Sequence, residues 1–372
     1  MVKNFVAQVG VNQVDVRCPA DAPSLLSVLA VSNGDQELLL EVVAYLGGGL
    51  VRTLPLGSTT GLQRGLEVRF VSKSLSVPVG HELLGRRINA LGKPLDGMAP
   101  VQTKQFAVSR GVAPKLAEVV SPTKIFRTGV GVIDLLFPIP EGGLVALQSK
   151  TGVSALFTQV LRASEAKCVY VLTNARSKQV AEVMTTLEQA QVIAKAVVVT
   201  SGVGEVTALH NQAVDTALTV AESLRSVAGV SLWLDSAAGL SAAAMERMVS
   251  TAAGPLTTFL LGAPLASLAT DVVTVVHFDG ESSELVDIKS SHSHWLTAKQ
   301  VGAEHFEVAN QVLEILRMSV QMKVGERAPD PAVIAKADRL WSYLRESRVE
   351  ISETEAYISQ LVSRCRAVLA GE

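Results

Sequence analysis

The segment "LQSKTGVSAL", residues 147–156, joins an apolar run to an apolar helical pattern. A strand, a turn and a helix in this order form the usual setting of a phosphate-binding loop. Such a loop, G-x-x-x-x-G-K-[ST], uses glycines for close backbone approach, a lysine for the terminal phosphates and a hydroxyl for magnesium. Counted from the glycines at 142–143, the defining positions hold Ser149, Ser154, Ala155 and Leu156. The required lysine and hydroxyl are therefore missing.

The remaining loop positions are Lys150, Thr151, Gly152 and Val153. Lys150 could bring a substitute positive charge, although a lysine in an unconstrained direction is expected to be solvated. A charge-assisted hydrogen bond contributes about 1.5–3 kcal/mol, so loss of the lysine and the hydroxyl together should remove tight Mg-nucleotide binding.

Few other residues are of a type that could bind a metal or act as a nucleophile. His292 and His294 are two apart and have no cysteine or carboxylate at ligand spacing, which favours a solvated loop over a metal site. The three cysteines, Cys18, Cys168 and Cys365, are far apart in the chain. They are expected to be core residues in a reducing compartment. We predict no metal site.

The composition excludes several classes of function. The 372 residues include 33 basic and 35 acidic side chains without long blocks of one sign, which argues against an electrostatic nucleic-acid or membrane-surface binder. No apolar run is long enough to span a bilayer, and the N-terminus enters a strand pattern without a visible signal or transit peptide. We expect a soluble protein of a reducing compartment, the mitochondrial matrix or the bacterial cytoplasm. A presequence removed earlier stays an open alternative.

Hydrophobic periodicity divides the chain into three parts. Short apolar segments between turn residues predict a small β-barrel over 1–77. Apolar runs alternating with helical stretches predict a parallel sheet covered on both faces over 78–300. Helical stripes predict a helical domain over 301–372, whose last helix opens with a capping box of Ser352 and Glu355. The fold class is therefore α/β with an N-terminal barrel and C-terminal helices.

Four stretches, residues 40–68, 77–97, 128–143 and 301–309, resemble the beta subunit of the rotary F-type ATP synthase in order and spacing. The resemblance implies an N-terminal β-barrel, a central RecA-like nucleotide domain and a C-terminal helical domain, the order that periodicity predicts. It also implies a six-membered ring of alternating alpha and beta chains, with nucleotide held between neighbours.

The resemblance also identifies where this chain departs from the family. Ala175 stands where the family has the glutamate that orients the attacking water, while the following Arg176 is retained. Asp235 is retained at the place of the acidic residue that helps to organise magnesium. We expect Arg176 to be a structural ion-pair partner and Asp235 to cap a helix or turn.

Three further segments differ from the family. His210 and Gln212 occupy a region where the family has arginines. The segment between 284 and 301 is shortened where the adenine platform should lie, and Trp295 and Phe306 are expected to be core or interface aromatics. The loop at 323–333 lacks the strongly acidic pattern with which the family pushes on its shaft.

Together these departures predict a catalytically inactive relative of the beta subunit with a structural or assembly role and no cofactor. Its partners would be protein subunits of a larger complex, such as alpha/beta-like chains in a ring, with no nucleic acid and no membrane insertion. An alternative is an unusual nucleotide-binding or ATPase subunit that uses Lys150, Arg176 and Asp235. A RecA-like nucleic-acid binder is a disfavoured third hypothesis, because the charge is nearly neutral and basic-aromatic stretches are lacking.

Overall fold

Six antiparallel strands close into a barrel at the N-terminal end of the chain. In the computed structural model, which describes residues 3–34, 36–148, 154–225, 229–236, 240–262, 272–278, 286–346 and 354–371, the barrel order is β1-β2-β5-β4-β3-β6. Alternating side chains point into it, because successive residues of a strand face opposite sides. The strands are β1 (Asn4–Val9), β2 (Val14–Arg17), β3 (Val28–Asn33), β4 (Gln36–Gly47), β5 (Leu50–Pro55) and β6 (Glu67–Ser72).

Short strands follow the barrel and lead towards the main sheet. They are β7 (Ser76–Pro78), β8 (Arg87–Asn89), β9 (Phe106–Val108), β10 (Ile125–Phe126) and β11 (Ile139–Pro140). Short 3-10 turns cover His81–Leu83, Leu116–Glu118 and Ile193–Lys195, and helix α1 spans Gly131–Leu136. Strand β7 pairs with β9, and β10 pairs with β11. These two small ladders and β8, the edge strand of the central sheet, therefore lie in the chain between the barrel and β12.

The central sheet has eight strands in the order β18-β17-β12-β16-β15-β13-β14-β8. All neighbouring pairs are parallel except β17 with β18. All five residues of β15 are buried, as expected for a parallel sheet covered on both faces. The strands not yet defined are β12 (Leu144–Gln148), β13 (Lys167–Ala175), β14 (Ala196–Gly202), β15 (Val230–Leu234), β16 (Leu256–Leu261), β17 (Val272–His277) and β18 (His292–Ser293).

Alternate residues of the central strands belong to two different apolar clusters, one on each face of the sheet. Helices α2 (Ser154–Ala163) and α3 (Ser177–Gln189) cover one face together with the C-terminal helices. Helices α4 (Thr207–Ser223) and α5 (Ala242–Arg247) cover the other face. The runs that predicted buried strands therefore form a three-layer α/β domain.

Four helices complete the chain: α6 (Ala298–Val301), α7 (Ala303–Lys323), α8 (Pro331–Glu346) and α9 (Thr354–Ala370). Their predicted stripes are buried at Val308, Val312, Leu316, Leu340 and Leu344. The predicted fold class, a barrel followed by a parallel sheet domain and helices, is confirmed. The predicted Ser352–Glu355 capping box lies outside the described residues. Among the helices that are described, none has the length and apolar character needed to cross a membrane.

Candidate functional site

The candidate site lies at the sheet edge where the parallel strands end. Strand β12 ends at Gln148, β13 ends at Ala175, and Asp235 directly follows β15. In open α/β sheets, ligands bind outside these carboxyl ends. The loop positions Ser149, Lys150, Thr151, Gly152 and Val153 lie outside the described residues, as do the side chains of Ser154 and Ala155. Of the eight predicted loop positions, only Leu156 can therefore be placed in full.

Leu156 faces the protein interior. It lies in the first turn of α2, is 5% exposed, and belongs to the apolar cluster between the sheet and the C-terminal helices. Its neighbour Phe157 contacts Tyr170 and Trp233 with ring centroids 4.6 and 5.1 Å apart, and Trp233 stacks on Phe259 at 4.1 Å. The position that would hold a magnesium-binding hydroxyl thus holds a buried hydrocarbon.

Asp235 is bound to the end of the neighbouring strand. The backbone N–H of Thr173 donates to both carboxylate oxygens at 3.0 Å, and Thr173 Oγ1 donates to Oδ1 at 3.0 Å. Burial raises the pKa of Asp235 to about 6, and the hydrogen bonds from Thr173 oppose this rise. The backbone N–H of Ser236 also acts on this carboxylate, so the expected capping of a turn stays a prediction. The contact with Thr173 adds a bond to a strand end, because β13 continues beyond the level at which β15 stops.

The end of β13 carries Ala175, at the position where the resemblance places the water-orienting glutamate, and Arg176 follows it. Ala175 is buried, and its carbonyl accepts from the N–H of Val203. Arg176 precedes α3 and is exposed. Its guanidinium has no ion-pair partner in the described part of the chain, so the expected structural ion pair is not found there. The reason is geometric, since Arg176 is placed at the solvent side of the strand end.

His210 and Gln212 form internal hydrogen bonds. His210 Nδ1 lies 2.9 Å from Ser201 Oγ, which also accepts from the N–H of Asn174 at 3.3 Å. Gln212 is buried on α4, and its Nε2 donates to Thr216 Oγ1. In the region where the resemblance places arginines, His210 therefore joins α4 to β14, while Gln212 bonds within α4.

A cavity of about 310 Å³ opens at this edge, on the α4 and α5 face of the sheet. Its lining includes Thr173, Ser236 and His210, and also Arg110, Asp215 and Arg247. Sequence reasoning did not identify the last three residues. The available signal was a single aspartate, Asp215, within the apolar pattern of α4, because a charge in such a pattern requires a partner when it is buried.

The remaining predicted positions are peripheral. His292 and His294 are exposed, with ring centroids 5.6 Å apart. The described residues contain no group of three or more potential metal ligands. Trp295 and Phe306 are half-buried. Residues 323–333 include the connection from α7 to α8, where Lys323 pairs with Asp338 at 3.0 Å.

Two family models match the chain. The first is described as the ATP synthase alpha/beta family, beta-barrel domain, and matches residues 12–72. The second is described as the ATP synthase alpha/beta family, nucleotide-binding domain, and matches residues 129–258. Together the two matches cover just over half of the chain. They include most of the barrel, and the sheet domain from α1 into β16.

Proposed function

The chain belongs to the ATP synthase alpha/beta family, and on this basis we propose that it is a non-hydrolysing member with a structural or assembly role. The family is one of ATPases, and its members act in multi-subunit rings. The proposal concerns what this chain contributes to such a complex. It would supply barrel and sheet-domain surfaces to neighbouring subunits without turning over a nucleotide.

The burial of Leu156 is the observation that carries the proposal. Phosphoryl transfer depends on positioned positive charge, supplied by magnesium and a lysine, that stabilises the negative transition state. Leu156 offers no oxygen to the metal, and its apolar surroundings would penalise a hydrated ion. Asp235 offers a carboxylate that is already held by Thr173. These residues do not fit a magnesium ion in the family's manner.

Two sequence features add to this argument. Ala155 cannot supply the phosphate-binding charge of a lysine, and Ala175 cannot position a water. Because the lysine and the magnesium-binding hydroxyl would each contribute about 1.5–3 kcal/mol, their combined loss would weaken a micromolar nucleotide affinity by roughly 10²- to 10⁴-fold. We therefore propose that the chain has no resident cofactor.

Calorimetry with the purified chain tests the proposal. We expect Mg-ATP to give no saturable heat in the micromolar range, and a micromolar affinity would overturn the proposal. A matched variant restores the loop through Ser149→Gly, Ser154→Gly, Ala155→Lys and Leu156→Thr. If this variant keeps a cooperative unfolding transition and gains Mg-ATP binding, the loss is assigned to these four positions.

The exposed guanidinium of Arg176 favours one alternative, a weak nucleotide-binding or ATPase subunit that also uses Lys150 and Asp235. Phosphate release by the assembled complex should then fall in Arg176→Ala and Asp235→Ala variants. The matched control is Lys178→Ala, which removes an exposed charge from the same helix. Equal phosphate release in all three variants would reject this alternative.

The proposed partners are protein chains, including alpha/beta-type subunits in a ring. Native mass spectrometry of the complex isolated under gentle conditions would identify them. We expect stoichiometric subunits of this family in the same particle. Recovery of the chain only as a free monomer would contradict an assembly role.

A further inference from the structure

Five charged side chains form a continuous chain from the barrel to the far side of α4. Glu41 lies on β4 of the barrel and is 1% exposed. Arg110 follows β9, in the segment between the sheet strands β8 and β12. Asp215 and Glu222 lie on α4, and Arg247 ends α5 and is 2% exposed. We call these five residues the charge chain.

Arg110 is the only member that bridges the barrel and α4. Its Nη1 lies 3.0 Å from Glu41 Oε2, and its Nε donates to Asp215 Oδ2 at 3.0 Å. One guanidinium is therefore shared between two carboxylates that belong to different domains. Although the Glu41 ion pair is close, Oε2 is a buried atom without a well-oriented hydrogen bond. At the barrel end of the charge chain, this oxygen of Glu41 therefore lacks a hydrogen bond from the described residues.

Arg247 binds Glu222 at the opposite end of the charge chain. Its Nη2 and Nε donate to the two carboxylate oxygens of Glu222 at 2.8 and 3.0 Å, and its Nη1 lies 3.7 Å from Asp215 Oδ1. Nη1 also donates to the carbonyl of Ser109 at 3.1 Å. The Arg247–Glu222 pair is bidentate, because the planar guanidinium matches a carboxylate in two parallel hydrogen bonds.

The charges are unbalanced at the barrel end. The charge chain contains three carboxylates and two guanidiniums. A further cation, Arg225, acts on Glu222 and Arg247 at the end far from the barrel. The charged groups that act on Glu41 are Arg110 and Asp215. His210 lies earlier on α4 and bonds to Ser201 instead. Among the described residues, Glu41 therefore depends on Arg110 alone and shares it with Asp215, which Arg247 reaches only at 3.7 Å while it binds Glu222 at 2.8 Å.

We propose that the charge chain is a pH-sensitive joint between the barrel and the sheet domain, tightened when the Glu41–Asp215 pair takes up a proton. When both carboxylates are ionised, their repulsion and the cost of their burial favour displacement of the barrel, which returns Glu41 to water. With one proton on the pair, Arg110 balances a single negative charge, and the contact is stable.

The sign follows from proton linkage. Burial raises the pKa of Glu41, Arg110 opposes the rise, and Asp215 adds to it. Burial likewise raises the pKa of Asp215, and Arg110 and Arg247 oppose that rise. Displacement of the barrel would return Glu41 to its ordinary pKa, so the joined state binds more protons than the displaced state. The stabilisation of the joined state is therefore fully present below the ordinary carboxyl pKa. It is lost as the pH rises through the raised pKa of the Glu41–Asp215 pair.

Pulsed electron paramagnetic resonance on the full chain measures the joint directly. Spin labels at Val11→Cys on the barrel and Val203→Cys on the sheet domain use two exposed positions, while the three native cysteines are buried. We expect a narrow distance distribution near pH 5 and a growing second population towards pH 8. That population should rise by up to roughly tenfold for each unit by which the pKa of the pair is raised.

Variants distinguish protonation of the Glu41–Asp215 pair from a general weakening of the contact between the barrel and the sheet domain. Glu41→Gln should keep the narrow distribution at both pH values, because it removes the charge while keeping the size of the side chain. Glu37→Gln, on the same strand and in an exposed pair with Arg69, should behave like the parent. Arg110→Met should broaden the distribution at high pH, and Glu41→Gln should reverse this in the double variant.

The proposal is overturned if the parent distribution does not depend on pH, or if Glu41→Gln keeps the parent's pH dependence. It is also overturned if Arg110→Met broadens the distribution equally with and without Glu41→Gln, since the guanidinium would then act only through packing.

Discussion

Asp235 and Thr173, at the carboxyl ends of β15 and β13, are joined by three hydrogen-bond contacts of 3.0 Å. One carboxylate accepts both the backbone N–H and the hydroxyl of the same threonine. The contact ties two adjacent strands together beyond their last shared ladder positions. An acidic side chain at the edge where nucleotides bind in this family therefore has a structural partner within the chain.

The buried carboxylate of Asp235 should make stability depend on pH. Its pKa is raised to about 6 by burial, so its stabilising contribution is full below its ordinary value near 4 and is lost as the pH rises through about 6. A rise of about two units corresponds to about 3 kcal/mol. Urea unfolding of Asp235→Asn should lack this part of the decline between pH 4 and pH 7, and an unchanged decline would contradict the assignment.

The hydroxyl of Thr173 should contribute a measurable part of the strand contact. In Thr173→Val the backbone N–H still donates to Asp235, but the Oγ1 donor is lost, so we expect a destabilisation of about 1 kcal/mol. The pKa of Asp235 should rise further, as followed by carboxyl NMR. Thr186→Val is the matched control, because Thr186 Oγ1 donates to an exposed carbonyl within α3. Equal effects at both sites would argue against a special role for Thr173.

The burial of Leu156 predicts that a hydroxyl is poorly tolerated at that position. Leu156→Ala should cost about 2–5 kcal/mol because it opens a cavity in the core. Leu156→Thr should also destabilise, by about 2 kcal/mol or more, because its hydroxyl would lie among apolar side chains. Leu116→Ala, at a position 90% exposed, should change the free energy of unfolding by less than about 0.5 kcal/mol. A neutral Leu156→Thr variant would refute the packing argument.

Removal of Arg247 should destabilise far more than removal of a surface arginine. Arg247→Ala removes a buried guanidinium and the bidentate partner of Glu222, and it leaves Asp215 with only Arg110 among the described cations, which together should cost about 3–5 kcal/mol. Arg366→Ala breaks an exposed pair with Glu304 and should cost less than about 1 kcal/mol. Chemical unfolding of both variants gives the comparison. Similar losses would mean that the buried end of the charge chain contributes little.

The aromatic cluster beneath α2 should depend on the size of Trp233 rather than on its N–H. Trp233 is stacked on Phe259, and its Nε1 has no hydrogen-bond partner among the described residues. Trp233→Phe should therefore cost less than about 1.5 kcal/mol, whereas Trp233→Ala should cost about 3–5 kcal/mol. Equal losses of stability for Trp233→Phe and Trp233→Ala in thermal unfolding would contradict this expectation.

Much of the fold could be predicted from local sequence pattern. Short apolar segments between turn residues predicted the barrel, continuous apolar runs such as β15 predicted a buried parallel sheet, and apolar stripes such as Val308 and Val312 predicted the C-terminal helices. These features follow from the period of each element, which is a property of neighbouring residues.

The tertiary structure decided what those side chains do. Asp235 meets Thr173, a residue 62 positions earlier, and Glu41 meets Arg110 and, through it, Asp215 on a different domain. The exposed position of Arg176 likewise depends on where its strand ends in the sheet. Residue type and spacing determine which chemistry is possible, but hydrogen bonds and ion pairs between distant segments depend on strand register and domain packing, which local pattern does not specify.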